Sequence, residues 1–116
     1  MSDYTIERLT SSDASTAEAI RLLVEQLTGR ESTFGEDDLR NTLQDSASRL
    51  FVMHHNDNIV GMITLGIYSC PTGRKVWIED VVMLSGRKDS YKNGVIDYIL
   101  VKNVFGTISK IGFKSC

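Results

Sequence analysis

The chain has 116 residues, of which 41% are apolar and 24% charged, enough for one compact globular domain and too few for two. Its formal net charge of -2 offers no basic surface for nucleic acid, and it shows neither the roughly 20-residue apolar run that spans a bilayer nor a signal peptide. Two cysteines far apart in sequence, Cys70 and Cys116, make neither a disulfide framework nor a metal motif, so we expect a reduced, cytoplasmic protein that binds no metal, nucleic acid or membrane.

The first part of the chain predicts one strand followed by two helices. Apolar and polar residues alternate over 4–9, which is the pattern of a half-buried strand. Ser12 or Asp13 can cap the helix that follows, and Gly29 is placed to end it. An apolar stripe at the spacing i, i+3, i+4 and i+7 runs along this helix and consists of Ile20, Leu23, Val24 and Leu27. A weaker helix is expected over 36–44, with the inward side chains Leu39 and Leu43.

A β region follows, in which turn signals separate three predicted strands. Strand patterns cover 50–55 and 59–68, and the turn 55–58 between them makes the pair a predicted hairpin. Pro71 marks the next turn, after which valine and isoleucine favour a third strand over 75–84. The predicted order of elements is therefore β-α-α-β-β-β.

Beyond Leu84 the pattern is weaker. Residues 85–93 are polar, whereas 95–105 are apolar and β-branched, which favours a strand over a helix. The tail 95–116 holds too many apolar side chains to leave in water, so we expect it to pack on the sheet. Its expected partner is the exposed edge of the 75–84 strand, either within one chain or across a homodimer.

Two stretches of the β region carry a characteristic order of motifs. Residues 49–65 read Arg-Leu-Phe-Val-Met-His-His-Asn-Asp-Asn-Ile-Val-Gly-Met-Ile-Thr-Leu, and residues 76–82 read Val-Trp-Ile-Glu-Asp-Val-Val. In this order they resemble the GNAT superfamily of acyl-CoA-dependent N-acetyltransferases, whose hairpin often has Ile-Val-Gly in its second strand and whose central strand often reads Ile-Glu-x-Val-Val. The resemblance implies an α+β fold, a mostly antiparallel mixed sheet with flanking helices. It divides a single domain, 1–116, into a family-like part, 1–83, and a divergent tail, 84–116.

The resemblance also implies a reaction and the residues that serve it. Acetyl-CoA would be the cosubstrate, and the acceptor would be a primary amine on a small molecule or a peptide. Glu79, on the central strand, would be the general base that takes a proton from the acceptor ammonium. Backbone groups of Val81 and Val82 would bind the pantetheine arm as an added strand does. The loop that would face the phosphates of the cofactor contains Gly86, Arg87 and Lys88.

Plainer structural roles stay open for the same region. Glu79 can be an ordinary strand carboxylate that faces solvent or pairs with an arginine, and Val81 and Val82 can simply pack in the core. Strand alternation predicts that Asp80 points to the face opposite Glu79. Trp77 is expected in the core or in the wall of a substrate pocket.

Three other reactive side chains have a weaker relation to catalysis. His54 and His55 adjoin a predicted hairpin turn, where side chains are usually in solvent. Cys70 has no histidine near it in sequence that could activate a thiol. We therefore expect none of the three to act in the reaction.

The phosphate-binding motif of the family is not intact in this sequence. It reads Arg/Gln-x-x-Gly-x-Gly/Ala and should follow Val82 closely, where this chain has Met-Leu-Ser-Gly-Arg-Lys-Asp-Ser-Tyr-Lys-Asn-Gly. With a suitable choice of synonymous codons, reading one base back from Val82 onward gives a sequence similar to the motif. We therefore expect a C-terminal part that is incomplete, through truncation or a frameshift. The alternative function is therefore a catalytically impaired GNAT-like remnant, a folded and dimerising non-enzymatic protein whose acetyl-CoA binding is weak or lost.

Overall fold

The computed structural model describes residues 4–84. Two helices and four strands follow one another as β1 (Tyr4–Arg8), α1 (Ala14–Thr28), α2 (Glu36–Gln44), β2 (Ser48–His55), β3 (Asn58–Cys70) and β4 (Gly73–Met83). This order confirms the predicted β-α-α-β-β-β succession. Three strands begin one or two residues earlier than predicted, whereas β1 and β4 each end one residue earlier.

The four strands form one sheet in the order β1-β2-β3-β4, and each pairs antiparallel with its neighbour. Asn56 and Asp57 connect β2 to β3 with φ values of 50° and 71°, and positive φ at both central residues is what the tight hairpin turn of this twist requires. Pro71 and Thr72 connect β3 to β4, where Gly73 adopts a φ of 129° that few other residues tolerate. The α+β, antiparallel architecture expected from the sequence is confirmed.

Local signals set both ends of α1. Asp13 is the N-cap, because its Oδ1 accepts a hydrogen bond from the Thr16 backbone N–H at 2.7 Å. Gly29 ends the helix in the left-handed conformation, with a φ of 73°, and donates its N–H to the Glu25 carbonyl at 2.8 Å. Of the two predicted caps, the structure therefore selects Asp13.

The predicted apolar stripe of α1 is buried only in part. Ile20 and Leu23 are 2% and 1% exposed, and Val24 packs beside them. Leu27 is 42% exposed, so the stripe is not buried along its whole length. It shares the helix face of the other three but stands in the last turn, past the cluster that covers them.

Two apolar clusters lie on the two faces of the sheet, as the alternation of strand side chains requires. Both helices pack on one of these faces, here called the helix side. The helix-side cluster consists of Ala17, Ile20, Leu23, Leu39, Leu50, Val52, Met62 and Val82. The opposite cluster consists of Phe51, Met53, Val60, Ile63, Leu65 and Met83. Each fully buried side chain of this kind stabilises the fold by roughly 1.5–3 kcal/mol.

Gly61 allows a close approach between β3 and β4. It pairs with Met83, and a Cβ at position 61 would overlap the Met83 Sδ and stand 3.3 Å from the Val82 carbonyl oxygen. The Met83 side chain therefore occupies the space that any larger residue at position 61 would need.

Several expectations fall outside the described residues. They are the strand over 95–105, the packing of the 95–116 tail, and the phosphate-facing loop with Gly86, Arg87 and Lys88. Within the part of the chain that is described, neither helix has the length and apolar character needed to cross a membrane.

Candidate active site

Glu79 lies on the helix side of the sheet, beyond the area that the helices cover. It pairs with Thr64 across β3 and β4, two residues along β3 from Met62, which belongs to the helix-side cluster. Residues two apart in a strand share a face, so Thr64 and its partner Glu79 face the same side as Met62. Glu79 is exposed, so its carboxylate is accessible to a ligand from solvent.

A β-bulge interrupts β4 immediately after Glu79. Thr64 pairs with Glu79 and Met62 pairs with Val82, so Ile63 alone stands opposite two residues of β4. Asp80 lies inside this irregularity with a φ of 54°, the left-handed region that aspartate tolerates better than most residues. Bulges of this kind are frequent next to active sites, where they redirect side chains.

The bulge interrupts the simple alternation of side chains along β4. Glu79 and Val82 are three positions apart and nevertheless share the helix side, because Val82 packs in the helix-side cluster at 6% exposure. Val81 is half-buried and packs against the opposite cluster. The period of two is therefore broken between Glu79 and Val82, and the face of Asp80 stays a prediction.

The C-terminal end of β4 is tied to α1 by a side-chain hydrogen bond. Leu84 donates its N–H to the Val60 carbonyl of β3 at 2.7 Å, so the backbone N–H of Leu84 points toward β3. The backbone N–H and C=O groups of successive strand residues alternate between the two edges of the strand, so those of Met83 point away from β3. Its carbonyl accepts a hydrogen bond from the Gln26 Nε2 of α1, which supports this orientation.

An aromatic shelf adjoins Glu79 on the helix side; it consists of Trp77, Tyr68 and Gly66. Trp77 is 60% exposed and Tyr68 is 48% exposed. Of the two places expected for Trp77, the core is therefore excluded and the wall of a substrate pocket stays a prediction. Gly66 pairs with Trp77, and Tyr68 pairs with Lys75 one step further along the hairpin. The indole therefore stands beside a residue with no side chain, and neither helix covers it.

The histidines that were expected in solvent are partly covered instead. His54 Nε2 is buried and lies 3.0 Å from Glu7 Oε2, a close contact across β1 and β2 whose geometry is not that of a hydrogen bond. A cavity of about 320 Å³ adjoins this pair and is lined by Thr5, Glu7, His54, Asn56 and Asp57. His55 stacks on Tyr4, with ring centroids 4.5 Å apart. Sequence reasoning missed both contacts because β1 and β2 are distant in the chain.

Cys70 stands at the β3–β4 turn, at the far end of the hairpin from the bulge. The Thr72 hydroxyl lies 3.3 Å from its Sγ and, as the largest influence, lowers the pKa of the thiol. Cys70 pairs with Gly73, whereas Glu79 pairs with Thr64. Gly73 and Glu79 are six residues apart along β4. Cys70 is therefore separate from the Glu79 region.

Several solved structures with the same arrangement of elements are acetyltransferases. An aminoglycoside acetyltransferase from an uncultured soil metagenomic sample, in complex with sisomicin, superposes with a TM-score of 0.81 at 19% identity, covering 98% of this chain and 75% of the other. A GNAT family acetyltransferase from Staphylococcus aureus gives 0.77 at 16% identity, covering 97% and 83%. An aminoglycoside N-acetyltransferase in complex with CoA gives 0.68 at 17% identity, covering 97% and 73%.

These likenesses establish the fold, which is that of the GNAT acetyltransferases. No protein-family model matches the sequence. No curated protein matches it either. Identities of 15–20% among the similar structures leave substrate and activity to be argued from the residues themselves.

Proposed function

We propose that this protein transfers an acetyl group from acetyl-CoA to a primary amine, with Glu79 as the general base. The observation that carries the proposal is the bulge at Asp80, which follows an exposed carboxylate in a strand of a fold shared with acetyltransferases. One of the similar structures holds sisomicin, a polyamine antibiotic. Another holds CoA, the product that acetyl-CoA leaves after acetyl transfer.

Glu79 would act by removing a proton from the acceptor. An ammonium group has no lone pair, so it must lose a proton before its nitrogen can attack a carbonyl carbon. An exposed carboxylate can accept that proton directly or through one water molecule. Acetyl-CoA would supply the thioester carbonyl as the electrophile. As the acceptor nitrogen forms the amide bond, the carbon–sulfur bond would break and CoA would leave as the thiolate, which takes up the second proton that the nitrogen loses.

The outer edge of β4 would bind the pantetheine arm. Among residues 4–84, β4 is an edge strand, and strand alternation directs Val81 to the same side as Met83, away from β3. Val81 therefore fits the expected backbone role better than Val82, whose groups point toward β3. The phosphate-binding role of Gly86, Arg87 and Lys88 stays a prediction.

Calorimetric titration with acetyl-CoA separates this function from the alternative of a non-enzymatic remnant. Tight, stoichiometric binding supports the enzyme, because a remnant without a phosphate site has little to hold the cofactor. Absence of heat at millimolar acetyl-CoA contradicts the enzyme and favours the remnant. The homodimer and the cytoplasmic location stay predictions, and sedimentation of the full chain measures the first of them.

Glu79→Gln tests the base directly. The amide keeps the shape of the side chain but cannot accept the proton, so we expect the acetyl-transfer rate to fall by about 10²–10⁴-fold. Asp80→Asn is the matched control, because asparagine also tolerates the left-handed conformation and removes the neighbouring charge. Unchanged turnover in Glu79→Gln, or an equal loss in Asp80→Asn, would remove Glu79 from this role.

A further inference from the structure

The aromatic shelf contains two of the most exposed large apolar side chains within residues 4–84, Trp77 and Tyr68. Trp77 and Tyr68 are diagonal neighbours across β3 and β4, a relation that brings large side chains within reach of each other. Their exposed fractions are 60% and 48%, and adjacent exposed apolar side chains often mark a binding surface. Neither side chain is needed to fill either apolar cluster.

Charges at the two ends of the shelf give it a direction. Glu79 follows Trp77 by two residues and Lys75 precedes it by two, and all three share the helix side. The carboxylate attracts an ammonium group at one end, whereas the lysine repels a second cation at the other. A ligand with one amine therefore fits better than a polyamine.

The spacing along β4 also limits the size of the ligand. Alternate residues on one face of a strand are about 7 Å apart, so a ring over Trp77 and an amine at Glu79 need a linker of about two or three carbons. Gly66 leaves room for the ring, because a Cβ there would already stand 3.7 Å from the Trp77 Cβ. Flat rings gain from stacking on an indole, and a nearby ammonium gains from its π face.

We propose that Trp77 and Tyr68 bind the acceptor, and that the acceptor is a primary monoamine joined by a short carbon chain to a flat apolar ring. This inference rests on the proposed function, because it takes Glu79 as the position of the reacting amine. Trp77 would then be a specificity-determining residue that selects arylalkylamines over aliphatic amines and polyamines.

The first test uses Trp77 itself as the probe, because it is the single tryptophan of the chain. We expect titration of the full chain with 2-phenylethylamine to shift its emission to the blue and to reduce acrylamide quenching by about half, since a stacked ring excludes water. n-Butylamine and spermidine should produce much smaller changes at the same concentration. An equal response to all three amines, or no response at millimolar 2-phenylethylamine, overturns the proposal.

A second copy of the chain is the competing occupant of the shelf. If it covers Trp77, the blue shift appears on raising the protein concentration without any amine, and that outcome also overturns the proposal. An emission spectrum independent of protein concentration supports it.

Kinetics give a second, independent test. Trp77→Ala should raise the KM for 2-phenylethylamine by about five- to tenfold with a smaller change in kcat, and should leave n-butylamine nearly unaffected. Leu22→Ala is the control, because it removes an exposed apolar side chain that lies on α1, away from the shelf. It should change neither the KM nor the kcat for 2-phenylethylamine. Turnover with equal KM changes for both amines contradicts the shelf but leaves acetyl transfer intact. A fluorescence response without turnover supports the shelf and counts against the proposed reaction.

Discussion

The helix side of the sheet has two regions that the same two strands build in opposite ways. In the covered region, Met62 and Val82 pair across β3 and β4 and are 2% and 6% exposed beneath the helices. In the open region, Gly66 and Trp77 pair across the same strands, and the indole is 60% exposed. The bulge at Asp80 lies between them. One strand can therefore contribute to the core at one end and offer a binding surface at the other.

The largest stability difference between covered and open positions should come from two leucines. Leu39→Ala in α2 removes a side chain that is fully buried, so we expect the free energy of unfolding to fall by about 2–5 kcal/mol. Leu27→Ala in α1 is the matched control, because the same substitution at a 42% exposed helical site should change it by about 0.5 kcal/mol or less. Urea unfolding measures both free energies, and equal losses would contradict the burial of Leu39 and the exposure of Leu27.

A smaller effect is expected at the bulge that separates the regions. Asp80→Val forces a β-branched residue into a φ of 54°, so we expect it to destabilise the fold by about 1–3 kcal/mol. Asp80→Gly adopts this φ without strain and serves as the control. Equal stability of the two variants in thermal unfolding would mean that the left-handed conformation does not persist in solution.

The smallest effect concerns the cap of α1, the helix that covers the core region. The hydrogen bond from the Thr16 N–H is the main cause that lowers the pKa of Asp13 below the ordinary aspartate value of about 4. A depressed carboxylate pKa stabilises the fold above the unfolded-state value, and this contribution is lost as the pH falls through the folded-state value.

Asp13→Asn isolates this charge, because asparagine is also a good cap. The melting temperature of the natural chain should exceed that of Asp13→Asn at neutral pH, and the difference should shrink below about pH 4 and then vanish. Ser12→Ala, at the other predicted cap, should leave the melting temperature unchanged. A difference that persists at the acid end would contradict a role for the Asp13 charge.

Features set by local sequence could be predicted, because they need no knowledge of distant residues. The helix ends at Asp13 and Gly29, the hairpin turn at Asn56 and Asp57, and the element order all follow from short patterns. The exposure of Leu27 could not be predicted, because helical periodicity gives a direction around the axis and not the extent of the surface that the helix covers.

The candidate site divides in the same way. Glu79 was predicted from its resemblance to a family motif, and its role as a base stays a prediction. The bulge was missed, because the sequence around Asp80 reads as a regular strand and only its register against Ile63 reveals the extra residue. The exposure of Trp77 was missed as well, since it depends on where the two helices stop.

Gly61 and Met83 have a consequence for how this sequence can diverge. The two residues share one side-chain volume across β3 and β4, because the Met83 sulfur occupies the space beside the bare glycine. The two positions are therefore coupled: an alanine at 61 forces the Met83 side chain to shift, and a shorter residue at 83 alone leaves a void. The glycine of the Ile-Val-Gly sequence is in this sense half of a packed pair, and its other half lies 22 residues further along the chain.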